Sequence, residues 1–216
     1  MKTLIAFSTA ITAAISCLAA DPTLTVDAGH AAGNVSPMLY GLMTEEINHS
    51  YDGGLYAELI QNRAFLDDSA TPVNWSKQND SDSAVAIALD PANSFSDQLT
   101  TSLRLTVTKA SKNHPAGVAN SGYWGIPVQP KTTYHASILA RGGSDFSGPV
   151  TVSIVSNDGR TIYAVKTIPG LSSDWKKYEM ALKTGRVAPT SQAHFAITLN
   201  QPGTVWLGLV SLFPPT

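Results

Sequence analysis

Cysteine is nearly absent from this 216-residue chain, which has one, Cys17. It lies in an N-terminal leader-like run, so no disulfide framework is available and a packed core must hold the fold by itself. Charge is scarce as well: Asp, Glu, Lys and Arg make up 14% of the residues, 14 basic against 16 acidic. No basic field exists to attract nucleic acid or anionic lipid, and neither is expected as a partner. There is no glycine-rich phosphate loop, no His-x-x-x-His pair and no cysteine cluster. His30, His49, His114, His135 and His194 stand singly, so neither a catalytic metal nor a cofactor is expected. Glutamate is limited to Glu45, Glu46, Glu58 and Glu179.

Lys2 precedes an uncharged run rich in Ala and Ile, from Thr3 to Ala20, that ends in small residues. Ser8, Thr9, Thr12 and Ser16 make it too weakly apolar for a membrane span, which needs about 20 apolar residues. Residues 1–20 read as a secretory signal peptide cut after Ala19 or Ala20. The expected mature chain is extracellular and free of the membrane. Loss of Lys2 leaves 13 basic residues against 16 acidic, a net charge of −3. Four Asn-x-Ser acceptors, at Asn34, Asn48, Asn74 and Asn79, become candidates for N-glycosylation in that compartment.

From residue 84 to 213 the dominant period is two. In Leu103–Thr108, apolar and polar residues alternate and fall on opposite faces of a strand. Similar runs recur at Ala84–Leu89, Gly117–Val128, Tyr134–Arg141, Val150–Ser156, Thr161–Ile168, Trp175–Leu182, His194–Leu199 and Val205–Phe213. With glycine-bearing turns at 141–145, 157–159 and 201–203, these roughly nine strands predict a mainly β fold, a jelly-roll or galactose-binding-like β-sandwich. Upstream, Leu24–Val26 and Pro37–Met43 read as strands. Leu55, Leu59, Ile60 and Ala64 recur at helical spacing, which predicts an amphipathic helix over Gly53–Phe65. The expected organisation is a signal peptide at 1–20, N-terminal strands with one βα unit at 21–66, a polar linker at 67–83, the sandwich at 84–213, and the start of a linker at 214–216.

The stretch Leu39-Tyr-Gly-Leu-Met-Thr-Glu-Glu-Ile-Asn-His-Ser-Tyr-Asp-Gly-Gly-Leu-Tyr-Ala-Glu-Leu-Ile-Gln-Asn-Arg-Ala-Phe65 resembles the opening of the fungal-type α-L-arabinofuranosidases of glycoside hydrolase family fifty-one. Gly122-Tyr-Trp-Gly-Ile-Pro-Val128 and Val205-Trp-Leu-Gly-Leu-Val-Ser-Leu-Phe213 are similar to the carbohydrate-binding-type sandwich inserted in those enzymes. The resemblance implies a retaining hydrolase that removes terminal arabinofuranosyl groups from arabinoxylan or arabinan. It also makes the βα segment the first unit of a (β/α)8 barrel whose later strands this chain lacks. Retaining chemistry needs two carboxyl groups about 5 Å apart, and none of the four glutamates sits in the family's nucleophile or acid/base motif. The resemblance gives Glu45 a substrate-binding role, hydrogen-bonding sugar hydroxyls at the end of the first barrel strand, where barrel sites gather. On this reading the chain is part of a secreted arabinofuranosidase, inactive alone. The alternatives are a free secreted carbohydrate-binding module, and a structural spacer.

Sugar recognition outside the barrel would draw on Tyr123, Trp124, Tyr134, Trp175, Tyr178 and Trp206, since aromatic rings stack on the apolar faces of sugars. Large aromatics are usually buried, so most of these are expected in the core. Strand alternation would set Tyr123 and Trp124 on opposite faces, with at most one of them inside.

Overall fold

A computed structural model of the chain describes residues 24–27, 29, 30, 33 and 57–214. Glu45, Asn34, Asn48, the leader at 1–20, the strand expected over Pro37–Met43 and the last two residues lie outside the described residues. The chain divides into two units, 1–52 and 53–216.

Among the described residues there are ten strands and no α-helix: β1 Trp75–Gln78, β2 Ala84–Asp90, β3 Ser102–Lys109, β4 Ala116–Asn120, β5 Thr133–Gly142, β6 Val150–Ser156, β7 Ile162–Ile168, β8 Lys176–Lys183, β9 Ala193–Leu199 and β10 Gly203–Phe213. They form two five-stranded sheets, β1-β4-β9-β6-β7 and β2-β3-β10-β5-β8. Every pairing is antiparallel. The non-sequential strand order is that of a jelly-roll sandwich. Inward residues of the first sheet, including Val118, Val152, Ile154, Phe195 and Ile197, face Leu103, Leu105, Ile138, Val205 and Leu207 of the second. All ten are fully buried. Alternation of period two puts these side chains on one face of each strand and so builds a single core.

The helix expected over Gly53–Phe65 is absent from its described part, 57–65, which is coil and turn. The segment instead runs beside the end of β10. Leu59 N–H donates to Leu212 O at 3.0 Å and Val210 N–H to Arg63 O at 2.9 Å. The Glu58 carboxylate accepts from Leu212 N at 2.8 Å, Ser211 Oγ at 2.5 Å and Ile60 N at 3.0 Å. The Asn120 amide accepts from Gln61 N and donates to Gln61 O, tying the segment to β4. Asn62 and Phe65 have φ of 47° and 60°, which ends any helical path. Ile60 and Phe65 thereby reach the core at 1% and 0% exposure. Tertiary hydrogen bonds thus override the helical spacing of the apolar residues.

Two further boundaries move. The stretch 67–83 contains β1, whose four residues pair with β4 from Trp75↔Asn120 to Gln78↔Gly117. The strand expected over Gly117–Val128 stops at Asn120, because Gly122 and Gly125 turn the chain with φ of 64° and 87°. Only glycine adopts such angles without strain.

Candidate functional site

The outer face of the first sheet is an open groove. Its side chains align in cross-strand rows: Gln78, Gly117, Thr198, Thr151 and Thr167 in one, and Ser76, Ala119, Ala196, Ser153 and Val165 in the next. Between Gln78 and Val165 at the edges, these residues are small or hydroxylated, so the floor is low and carries O–H groups that both donate and accept. The groove encloses about 610 Å³ and no aromatic ring lines it. Asn79, Asp80, Lys112 and Asn200 stand at its rim. Asp80 Oδ2 lies 2.8 Å from His114 Nδ1; that hydrogen bond, with one from Asp82 N–H, holds the Asp80 carboxyl at about 2. On β9, His194 shares the face of Ala196 and Thr198 and is in register with Val155, a groove-lining residue. Its side chain is buried and Nε2 has no hydrogen-bond partner. Burial alone depresses its pKa and favours the neutral ring.

On the outer face of the second sheet, a hollow of about 610 Å³ opens over β5, β8 and β10, while the part over β3 and β10 is covered by its own side chains. Trp206 Nε1 donates to Asp90 Oδ2 at 2.9 Å, and Asn93 Nδ2 donates to the same oxygen at 3.0 Å. Arg104 lies 3.6 Å from that oxygen. Burial by itself would raise the Asp90 pKa, but the bonds from Trp206 and Asn93 and the charge of Arg104 outweigh it and hold the carboxyl below its ordinary range. The Arg141 guanidinium sits 4.5 Å from the Trp206 ring and 5.8 Å from that of Trp175. Phe95 meets Trp175 edge-on at 6.1 Å. Trp175 packs over Gly208, where an added Cβ would come within 3.1 Å of the indole. These contacts give Trp175 and Trp206 structural work.

Tyr134 is buried and its hydroxyl donates to Pro127 O while accepting from Gln129 N. The Tyr178 hydroxyl accepts from Ser172 N at 2.7 Å. Tyr123 and Trp124 differ. Neither faces the interior, because they occupy the turn after β4 and not a strand, and their exposures are 52% and 90%. The glycines flanking the pair at 122 and 125 are the signal in the sequence that marks a turn where alternation does not apply.

Of the two described glutamates, Glu58 is consumed by the bonds from Leu212 N, Ile60 N and Ser211 Oγ, with Arg63 3.6 Å from it. Glu179 is exposed and paired with Lys177 at 2.5 Å. No group of three or more His, Cys, Asp or Glu that could hold a metal ion occurs among the described residues. Asn74 and Asn79 are exposed. The Asn79 amide donates to Asp80 O and Ser83 O.

A two-sheet jelly roll with a groove lined by hydroxyl and amide groups on the outer face of one sheet has the build of a module that holds neutral polyhydroxylated chains. Residues 57–204 match the family described as carbohydrate binding domain, and the chain belongs to that family. It is 35% identical to α-L-arabinofuranosidase 1 of Arabidopsis thaliana over 89% of this chain and 29% of the relative. With α-L-arabinofuranosidase A of Aspergillus niger it shares 34% identity over 64% of this chain and 21% of the relative. Among solved structures, an arabinose-bound α-L-arabinofuranosidase of family fifty-one superposes with a TM-score of 0.66 at 36% identity, covering 82% of this chain and 29% of that one. A family-four carbohydrate-binding module superposes at 0.53 over 72% of this chain and 99% of its own; at 18% identity it shows the shared fold alone. The likeness to family-fifty-one arabinofuranosidases read from 39–65, 122–128 and 205–213 is thereby borne out. The chain spans less than a third of the length of these curated relatives.

Proposed function

We propose that this chain is the N-terminal and polysaccharide-recognising part of a secreted, retaining α-L-arabinofuranosidase that acts on terminal arabinofuranosyl groups of arabinoxylan or arabinan. The observation that carries this reading is the 35–36% identity to arabinofuranosidases over four fifths or more of the chain. The groove on the first sheet is the proposed seat of the polysaccharide. Its hydroxyl and amide groups suit neutral sugars, and its lack of a cationic floor suits neither phosphate nor nucleic acid. Glu45 keeps the substrate-binding role that the motif around it implies, and Asn34, Asn48, Asn74 and Asn79 are the proposed glycan acceptors. Hydrolysis requires a paired nucleophile and acid. Glu58 is held by Leu212 N, Ile60 N and Ser211 Oγ, Glu179 is tied to a lysine, and none of the four glutamates sits in the family's nucleophile or acid/base motif, so this chain by itself should bind and not cut.

The test is affinity electrophoresis of the purified chain in gels containing arabinoxylan or arabinan, alongside an aryl arabinofuranoside assay. Retardation without release of the aryl group is expected. Turnover that survives removal of contaminating hydrolases would defeat the inactivity, and unretarded migration in both gels would defeat the binding.

A further inference from the structure

We propose that Tyr123 and Trp124 form a second sugar-binding subsite, distinct from the groove, that stacks the apolar face of a neutral sugar ring of the same polysaccharide. This rests on the carbohydrate-binding reading above and adds where ring stacking occurs. Stacking on an aromatic platform is the main apolar contribution a protein offers to a sugar, and the groove holds no aromatic ring. Of the four tryptophans, Trp75 is buried, and Trp175 and Trp206 are engaged with Phe95, Arg141 and Asp90. Trp124 remains, the most exposed large apolar side chain among the described residues.

Its presentation is fixed by the backbone. Gly125 has a φ of 87° and comes so close to the Ser191 carbonyl that a Cβ would lie 1.8 Å from it; at Gly122 a Cβ would lie 2.8 Å from Leu59 O. A backbone clamped on both sides holds the turn, and with it the root of the indole, at the surface. The Tyr123 ring lies 6.0 Å away, tilted by 40°, and widens the platform. Beside it is a hollow of about 420 Å³ lined by Leu59, Tyr123, Trp124, Pro127, Ser191 and Pro214. That size falls in the usual range for small ligands. Its wall is apolar under the ring, with the exposed Ser191 at one edge. A sugar needs both: CH groups meet the indole while its rim hydroxyls meet polar groups.

The test compares the wild-type chain with Trp124→Ala, Tyr123→Ala and the groove variant Thr151→Arg, using arabinoxylan in affinity gels and tryptophan emission in solution. The expected result is a loss of affinity of about fivefold or more in Trp124→Ala, a size set by one aromatic contact, with an unchanged melting temperature. A blue shift of emission on adding arabinoxylan, lost in Trp124→Ala, is expected with it. Wild-type affinity in Trp124→Ala with affinity lost in Thr151→Arg would overturn the subsite and leave the groove reading standing. If the wild-type chain does not bind, the parent reading falls and the subsite with it. Unchanged sugar affinity in Trp124→Ala together with loss of a self-association detected by sedimentation would show the platform to be a protein contact, which also overturns the proposal.

Discussion

Phe65 decides whether the segment before the first strand is part of the sandwich or merely lies against it. Its ring is fully buried and meets the Trp75 ring at 5.3 Å and 47°, and Trp75 Nε1 donates to Asn62 O at 3.0 Å. Truncating Phe65 to Ala removes the ring's burial, empties a site walled by β1 and the 60–65 turn, and loosens the clasp that Trp75 makes on Asn62. Phe→Ala changes in well-packed cores cost about 3–5 kcal/mol. Both residues carry the same penalty at the positive φ of 60°, so that strain cancels and the cavity term stands alone. In a chain of this size each kcal/mol moves the midpoint by about 2–4 °C, which predicts a fall of roughly 6–20 °C. Thermal unfolding followed by circular dichroism at 218 nm, near the usual strand minimum, measures it on the full chain. A loss below about 1 kcal/mol would show that the core is complete without residues 57–65, and the reading of that segment as integral would be refuted.

Two further outcomes test other parts of the molecule. Asp90→Ala strips Trp206, Asn93 and Arg104 of a shared acceptor and should cost about 1–2 kcal/mol, the low end for unpaired donors, because Trp206 and Asn93 are part-buried and Arg104 is half in solvent; urea midpoints and the near-ultraviolet signal of Trp206 report it. His194 is depressed by burial, so the unfolded chain takes up a proton first as pH falls below the ordinary imidazole value of 6.5. Wild-type stability should therefore drop below that pH and level off below the folded pKa. His194→Leu should flatten that component, and identical pH slopes in the two proteins would refute the buried neutral ring.

Nine of the ten strands were legible from period-two alternation, which is clearest where one face is buried and the other wetter, as in Thr133–Gly142; for Val150–Ser156 the expected and observed bounds coincide. β1 escaped notice because in Trp75–Gln78 only the first residue is buried and its polar neighbours read as connection. The false helix had a physical origin. Leu59, Ile60 and Ala64 keep helical spacing, but what they pack against was invisible without the fold, and Glu58 spends its carboxylate on Leu212, a residue 154 positions away. A side chain that captures distant backbone donors leaves no periodic trace. The groove was hidden for a related reason: Thr151, Ser153, Ala196 and Thr198 look like ordinary solvent-side residues of separate strands, and only the pairing of β6 with β9 sets them side by side.

The contrast between the two outer faces bears on where recognition occurs. On the second sheet, bulky residues stand on the outside: Trp206 and Arg141 are cross-strand partners, Arg104 and Trp206 are partners on the other side, and loop residues Asn93, Phe95 and Trp175 lie over them. In this cluster most donors, acceptors and ring faces are matched within the chain, Arg141 Nε excepted, so a ligand would have to break contacts to bind on it; a separate hollow opens on the same face over β5, β8 and β10. On the first sheet the corresponding central positions hold Gly, Ala, Ser and Thr, whose short side chains cannot satisfy one another across strands roughly 4.8 Å apart and form a low floor on which Ser153 and Thr198 are 5% and 9% exposed. A ligand there displaces water and little else. The same logic separates Trp124 from Trp206. Both are large indoles near glycines, but one has its N–H on Asp90 and a guanidinium over its face, and the other is 90% exposed. Binding energy is available only where the fold has not already spent the contact, and that condition is met by the groove and by the turn that follows β4.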